Sequence, residues 1–131
     1  MTQEEKELLL KDLSARLRYG LIVSPSDCGN AKLVGCLLDS VLIQDIRTGE
    51  DYDKPWDIEY VRSYLRPMSS MTEEEEIEYD AIFAKPWYNS FYIDNSLNGI
   101  DWLNAHHFDY RGLIEKGLAV EVTEENNPYK E

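Results

Sequence analysis

The chain has 131 residues and a formal net charge of −13, with 26 acidic against 13 basic side chains, 43% hydrophobic and 30% charged residues. That is enough chain for one domain burying roughly two-thirds of its unfolded surface, and too apolar a composition for a disordered one. Clustered Lys and Arg, which supply most of the affinity for phosphate backbones and anionic lipid, are missing, so direct nucleic-acid binding and membrane-surface binding are not expected.

Thr2-Gln3-Glu4-Glu5 has the form of a capping box, and Leu9, Leu10, Leu13 and Leu17 recur at helical spacing, which predicts an amphipathic helix over 3–18 stopped by Gly20. The same opening lacks the basic and apolar regions of a signal peptide, and apolar runs such as Leu8-Leu9-Leu10 are far too short to span a bilayer. A cytoplasmic protein is the expectation. Leu21-Ile22-Val23 is β-rich and ends at Pro25, and Asp27-Cys28-Gly29-Asn30 is a turn sequence. Cys28 and Cys36 stand at a spacing that fits neither a CxxC pair nor half of a usual zinc pattern, and two free thiols are the simple reading.

Leu33–Leu38 and Val41–Ile46 read as two strands joined at Asp39-Ser40 by a tight hairpin. Leu37-Leu38 and Leu42-Ile43 place apolar groups on both faces, so a helix is expected to cover one side and a loop the other. Residues 47–55 form an acidic, Gly- and Pro-punctuated loop. Its Glu50, Asp51 and Asp53, with Asp57, lack the glycine and terminal Glu spacing of an EF-hand, so solvation is favoured over Ca²⁺ binding. Ile58–Leu65 fits a helix by the spacing of Ile58, Val61 and Leu65 and a strand by its Tyr and Val content, and Pro67 closes it either way.

Thr72-Glu73-Glu74-Glu75 repeats the capping-box form and opens a second helix to about Ala84, with Ile77, Ala81 and Ile82 expected to face inward. Six acids against one base over residues 67–85 make this the most acidic segment of its length. Glu73, Glu74 and Glu76 are therefore candidate partner-binding residues, although acids in a first helical turn also simply favour the helix dipole and water. The aromatic run Trp87, Tyr88, Phe91 and Tyr92 is a strand or an irregular segment; its rings suit core packing or an interface anchor. Ser96 suits the cap of a third helix over about 97–107, Asp109 that of a short fourth one ending before Gly117, and Leu118–Val122 a last strand. Residues 124–131 read as a frayed polar tail of a single domain.

Asp101, His106, His107, Asp109, Tyr110 and Arg111 fall within one short window and form the most site-like polar cluster of the sequence. Adjacent helical residues project about 100° apart, so the two imidazoles do not readily chelate one ion as a pair at i and i+4 would. A structural corner is favoured, with metal binding and acid–base chemistry as alternatives. No G-x-S-x-G turn and no Gly-rich phosphate loop occurs, so no residue is assigned as catalytic, no metal ligand is named, and no cofactor is implied.

The segment Tyr64-Leu65-Arg66-Pro67-Met68-Ser69-Ser70-Met71-Thr72-Glu73-Glu74 and the segment from Trp102 through His106-His107-Phe108-Asp109-Tyr110-Arg111 to Ala119 resemble those of a group of short bacterial proteins. That group is associated with gut anaerobes and with prophage or other mobile-element gene sets. Leu8–Leu17 is similar to its opening, whereas residues 25–57 and 86–96 carry no likeness. The resemblance implies an origin and no activity.

The fold expected is α+β: a small antiparallel sheet, open or partly closed into a barrel, packed with an N-terminal helix and two or three further helices. The function expected is a non-enzymatic, acidic protein-interaction domain whose partner is another protein. The alternatives are a small metal-dependent or acid–base enzyme using the His106 and His107 region, and a nucleic-acid mimic whose carboxylate row occupies a DNA-binding host protein.

Overall fold

The computed structural model describes residues 1–25, 29–52, 54–83 and 92–129, the side chains of 83 and 92–98 excepted. Helix α1 spans Gln3–Arg16 behind the expected capping box: Thr2 Oγ1 accepts from Glu5 N–H while Glu5 Oε1 accepts from Thr2 N–H. A 3₁₀ turn, Leu17–Tyr19, comes after it, and Gly20 at φ 69° supplies the left-handed residue that reverses the chain. The strands are β1 (Ile22–Pro25), β2 (Ala31–Cys36), β3 (Ser40–Asp45), β4 (Trp56–Asp57) and β5 (Val61–Pro67). Helices α2 (Glu73–Phe83) and α3 (Tyr92–Ala105) come next, then β6 (Phe108–Asp109) and β7 (Ala119–Glu121).

The α+β class is as expected, but the sheet is mixed and does not close. β4, β3, β2, β1 and β5 pair antiparallel in that spatial order, whereas β7 joins Ser63–Leu65 and β6 joins Arg66–Pro67 in parallel. The parallel pairs arise because the chain leaves β5 through two helices before it returns, and such a crossover brings it back in the same direction.

Alternation along the strands puts Val23, Ala31, Leu33, Val41, Ile43, Val61 and Leu65 on one face, where Leu9 and Leu13 of α1 close over them with Leu113 and Leu118. A register shift lies between Leu33 and Gly35, where a side chain would have to displace that of Leu42: a Cβ on Gly35 would stand 2.9 Å from Leu42 Cδ1. The second cover expected over the hairpin is not supplied by the described residues, since Leu38 is 94% exposed and Leu37 and Leu42 are also exposed. The ambiguous segment resolves by splitting: Ile58–Tyr60 is a 3₁₀ turn capped by Asp57, and a strand runs from Val61 to Pro67.

Other corrections concern the helices. Ile77 is 71% exposed and Ala81 is exposed; the inward face of α2 is Glu75, Tyr79 and Ile82. α3 begins at Tyr92, so Ser96 lies inside it rather than at its cap. Asp109 does cap the next segment, accepting from the N–H groups of Leu113 (2.9 Å) and Ile114 (3.0 Å), but that segment is a series of turns and not a helix. Within the expected frayed tail, Tyr129 is anchored by its hydroxyl in the gap where β1 and β5 part, accepting from Ile22 N–H (3.0 Å) and donating to Tyr64 O (2.8 Å). Two residues further along β5, the pairing resumes with β6, from Arg66.

Candidate functional site

The window that looked most like a site folds against two charged residues of α1. Asp12 and Arg16 sit four apart on the same helical face as Leu9 and Leu13, and both are fully buried. Arg16 Nε donates to Asp12 Oδ2 at 2.9 Å and Arg111 Nε donates to Asp12 Oδ1 at 3.1 Å, so one carboxylate serves two guanidinium groups. Arg16 Nη2 also donates to Phe108 O, while Arg16 and Arg111 lie 5.1 and 5.0 Å from the centre of the Tyr110 ring. The Tyr110 hydroxyl donates to Asn104 Oδ1 (2.8 Å) and accepts from Arg111 Nη2 (3.3 Å). Arg16 Nη1 is buried with no hydrogen-bond partner among the described residues. The cluster joins α1 to the tail and carries more positive than negative charge.

The two histidines turn to different partners. His107 takes φ 63°, a left-handed conformation that is costly for a residue with a Cβ, and its ring stacks on Tyr129 at 3.9 Å and 8°. Burial above all, with the nearby Arg16, His106 and Arg66, lowers its pKa to about 4, and its Nδ1 is buried without a partner among the described residues. It is neutral at pH 7, where a general acid or base would be poised near neutrality. Burial likewise pushes the Tyr129 phenol well above its ordinary pKa.

His106 packs outward from the same corner, its ring 4.1 Å from that of Trp102 and its Nδ1 3.7 Å from Glu75 Oε2. Glu75 grips Arg66 with both oxygens, at 2.6 and 2.7 Å, and its Oε1 accepts from Thr72 N–H to complete the second capping box. Arg66, ahead of the cap bonds, holds the Glu75 carboxyl at a pKa of about 2. Above it the Arg66 guanidinium covers the Phe108 ring at 4.2 Å, and Phe108 stacks on Trp102 at 5.7 Å. Trp102 Nε1 donates to Glu78 Oε1 at 2.9 Å, a second tie to α2. Glu75→Gln is expected to cost about 2–3 kcal/mol, the range for a charged hydrogen bond, because Gln cannot accept the guanidinium at both positions. A lowered carboxylate pKa contributes stability above the unfolded value of 4.5 that is lost as pH falls toward about 2. Acid denaturation of wild type and Glu75→Gln checks both, the variant losing that low-pH phase.

Asp101 does not join this group; it is exposed on α3 with Arg18 at 4.0 Å. Glu73, Glu74 and Glu76 are exposed on α2. Trp87, Tyr88 and Phe91 lie outside the described residues, and of Tyr92 only the backbone, at the start of α3, is described. Cys36 is a free thiol raised in pKa by burial, and Cys28 lies outside the described residues. In the acidic loop Asp51 accepts from Gln44 Nε2 and Asp57 from Glu59 N–H, which separates the two carboxylates; Asp53 lies outside the described residues. Among the described residues, no group of three or more His, Cys, Asp or Glu is placed to hold a metal ion, and no helix is long and apolar enough to cross a membrane.

Sequence reasoning missed Asp12, Arg16, Arg66, Glu75 as an ion-pair partner, and Tyr129. For the first two a signal existed: opposite charges at i and i+4 among leucines of the buried face. Arg66 and Glu75 meet across the turn between β5 and α2, nine residues apart, and Tyr129 depends on contacts with distant segments. Comparison with protein-family models, curated proteins and solved structures finds no match to this chain.

Proposed function

We propose that this chain is a non-enzymatic protein-interaction domain of a prophage or other mobile element, and that its acidic α2 surface meets the partner. One observation carries the reading: the polar groups that looked chemical are spent on internal bonds, whereas the acids of α2 are left at the surface. Both oxygens of Asp12 and of Asp109 are engaged, Tyr110 and Arg111 bond within the cluster, and His107 lies in a ring stack. Glu73, Glu74 and Glu76 are exposed. Desolvating so much polar chemistry to hold a corner leaves little of it for a substrate, and an enzyme built on His106 and His107 would have to break the stack and the Glu75 contact first.

Isolation of the chain from its native host under gentle conditions is expected to yield one stoichiometric partner. Glu73→Gln, Glu74→Gln and Glu76→Gln together should release it while the protein stays folded, the loss of three first-turn acids from the helix dipole costing about 0.3–1 kcal/mol each. Retention of the partner by the triple variant would remove α2 from the interface, and failure to find any partner would count against the reading itself.

A further inference from the structure

Between β5 and α2 the chain makes a tight 3₁₀ turn, Met68–Ser70, held by Ser70 Oγ donating to Pro67 O at 2.7 Å. The turn lifts Met68 to the surface, where it is 39% exposed. Two clefts meet at Met68 and Ser69. One, of about 470 Å³, runs toward Ile114, Glu115 and Glu121; the other, of about 380 Å³, runs along α2 past Met71 and Tyr79 to Glu76 and Asp80. Their floor is therefore thioether, aromatic and aliphatic, and their rims are carboxylate.

The charge along these rims is of one sign. Glu76, Asp80, Glu115 and Glu121 are all exposed, and among the described residues no Lys or Arg lines either cleft. The one further carboxylate, Asp109, already accepts two backbone N–H groups and is not available to a ligand. Carboxylates around a concave apolar surface focus a negative potential there, which attracts cations and repels nucleic acid and anionic lipid. A bare metal ion does not explain the apolar floor, and among the described residues no three carboxylates are grouped as ligands. A methionine floor is suited to apolar side chains of varied shape, because the thioether is flexible and polarizable.

Resting on the protein-interaction reading, we propose that these joined clefts receive a basic segment of the partner protein. An apolar side chain of that segment seats on Met68, and flanking Lys or Arg side chains reach Glu76 and Asp80 on one side and Glu115 and Glu121 on the other. The observations favour this occupant by charge complementarity and by the apolar floor between the acidic rims.

Panning the full chain against a displayed library of random peptides tests the assignment. Enriched peptides should carry an apolar residue flanked by Lys or Arg, and binding of a synthetic copy, measured by fluorescence anisotropy, should weaken with added salt. Met68→Ser and the pair Glu76→Gln with Glu121→Gln should each weaken binding by about tenfold, as truncation of an interface anchor does. Glu50→Gln with Glu125→Gln, exposed and outside the clefts, should leave it unchanged, and Glu73→Gln with Glu74→Gln, on the wider α2 surface, should weaken it less than the cleft variants do. Melting temperatures equal to the parent's show that the variants are folded, and charge reversal by Glu121→Lys gives an independent arm expected to abolish binding. If Glu73 and Glu74 matter and Met68 does not, the clefts are the wrong place while the interaction reading stands. If no peptide is enriched, or none of these substitutions affects binding, the cleft assignment is overturned, and the interaction reading falls with it only when no partner is recovered from the host either.

Discussion

Asp12→Asn is expected to destabilise the fold by about 3–5 kcal/mol, the cost of leaving a buried charge without its partner. Asn keeps the shape of Asp and can still accept one hydrogen bond, so the loss is electrostatic. Two guanidinium groups then face each other across a neutral amide, and Arg16 is fully buried, with Nη1 unpartnered among the described residues. The cost to Arg111 is smaller, because its side chain is 20% exposed and can rehydrate. In a domain of this size a loss of that order lowers the melting temperature by about 10–20 °C. Adding Arg16→Met to Asp12→Asn removes the stranded charge, and the double variant should be less destabilised than the sum of the two single ones. Urea denaturation of the four proteins measures the coupling; an Asp12→Asn cost below about 0.5 kcal/mol would show that the buried cluster does not organise the corner.

Tyr129→Phe should cost about 1–3 kcal/mol, since it strips partners from two part-buried backbone groups, Ile22 N–H and Tyr64 O, at the place where β1 and β5 separate. Phe retains the ring that stacks on His107, so the loss isolates the hydroxyl. The same stack predicts a pH effect. His107 titrates at about 4 in the fold against a reference of 6.5, so between those values the unfolded chain binds the proton and the folded chain does not. Stability therefore falls as pH drops from about 6.5 to about 4, by up to about 3 kcal/mol, and this contribution is flat outside the window. His107→Asn tolerates the left-handed backbone and does not titrate, so it should flatten the upper part of that window. Glu75 acts lower, from 4.5 toward 2, and melting curves collected between about pH 6.5 and 4.5 separate the two groups. An unchanged pH dependence in His107→Asn would mean that His107 takes up its proton in the fold as readily as in the unfolded chain.

Fold elements governed by neighbours in the chain were legible. The two capping boxes at Thr2 and Thr72, the stop at Gly20, the hairpin around Asp39-Ser40 and the capping carboxylate of Asp109 all depend on hydrogen bonds or φ values within a few residues. Where reasoning from apolar spacing failed, polar contacts with other elements had set the orientation. Ile77 was expected inside α2, but the Arg66–Glu75 grip and the Trp102–Glu78 bond turn Glu75 and Tyr79 inward and leave Ile77 in water. The candidate site was half legible: the window from Asp101 to Arg111 was found, yet its meaning depended on Asp12 and Arg16 from the other end of the chain.

By itself, then, the sequence determined an acidic α+β chain, the starts of its first two helices, its central hairpin and the segment where polar groups concentrate, because these depend on composition and on short-range periodicity. Only the tertiary structure decided that the two histidines part, that Asp12 joins two arginines, that Tyr129 closes a gap between strands and that Met68 rises between acidic rims. Those outcomes join residues far apart in the chain, up to 107 positions in the case of Ile22 and Tyr129, and no local pattern encodes such a pairing. Burial is what gives them their energy: the same charges and hydroxyls in water would exchange one hydrogen-bond partner for another at little net gain.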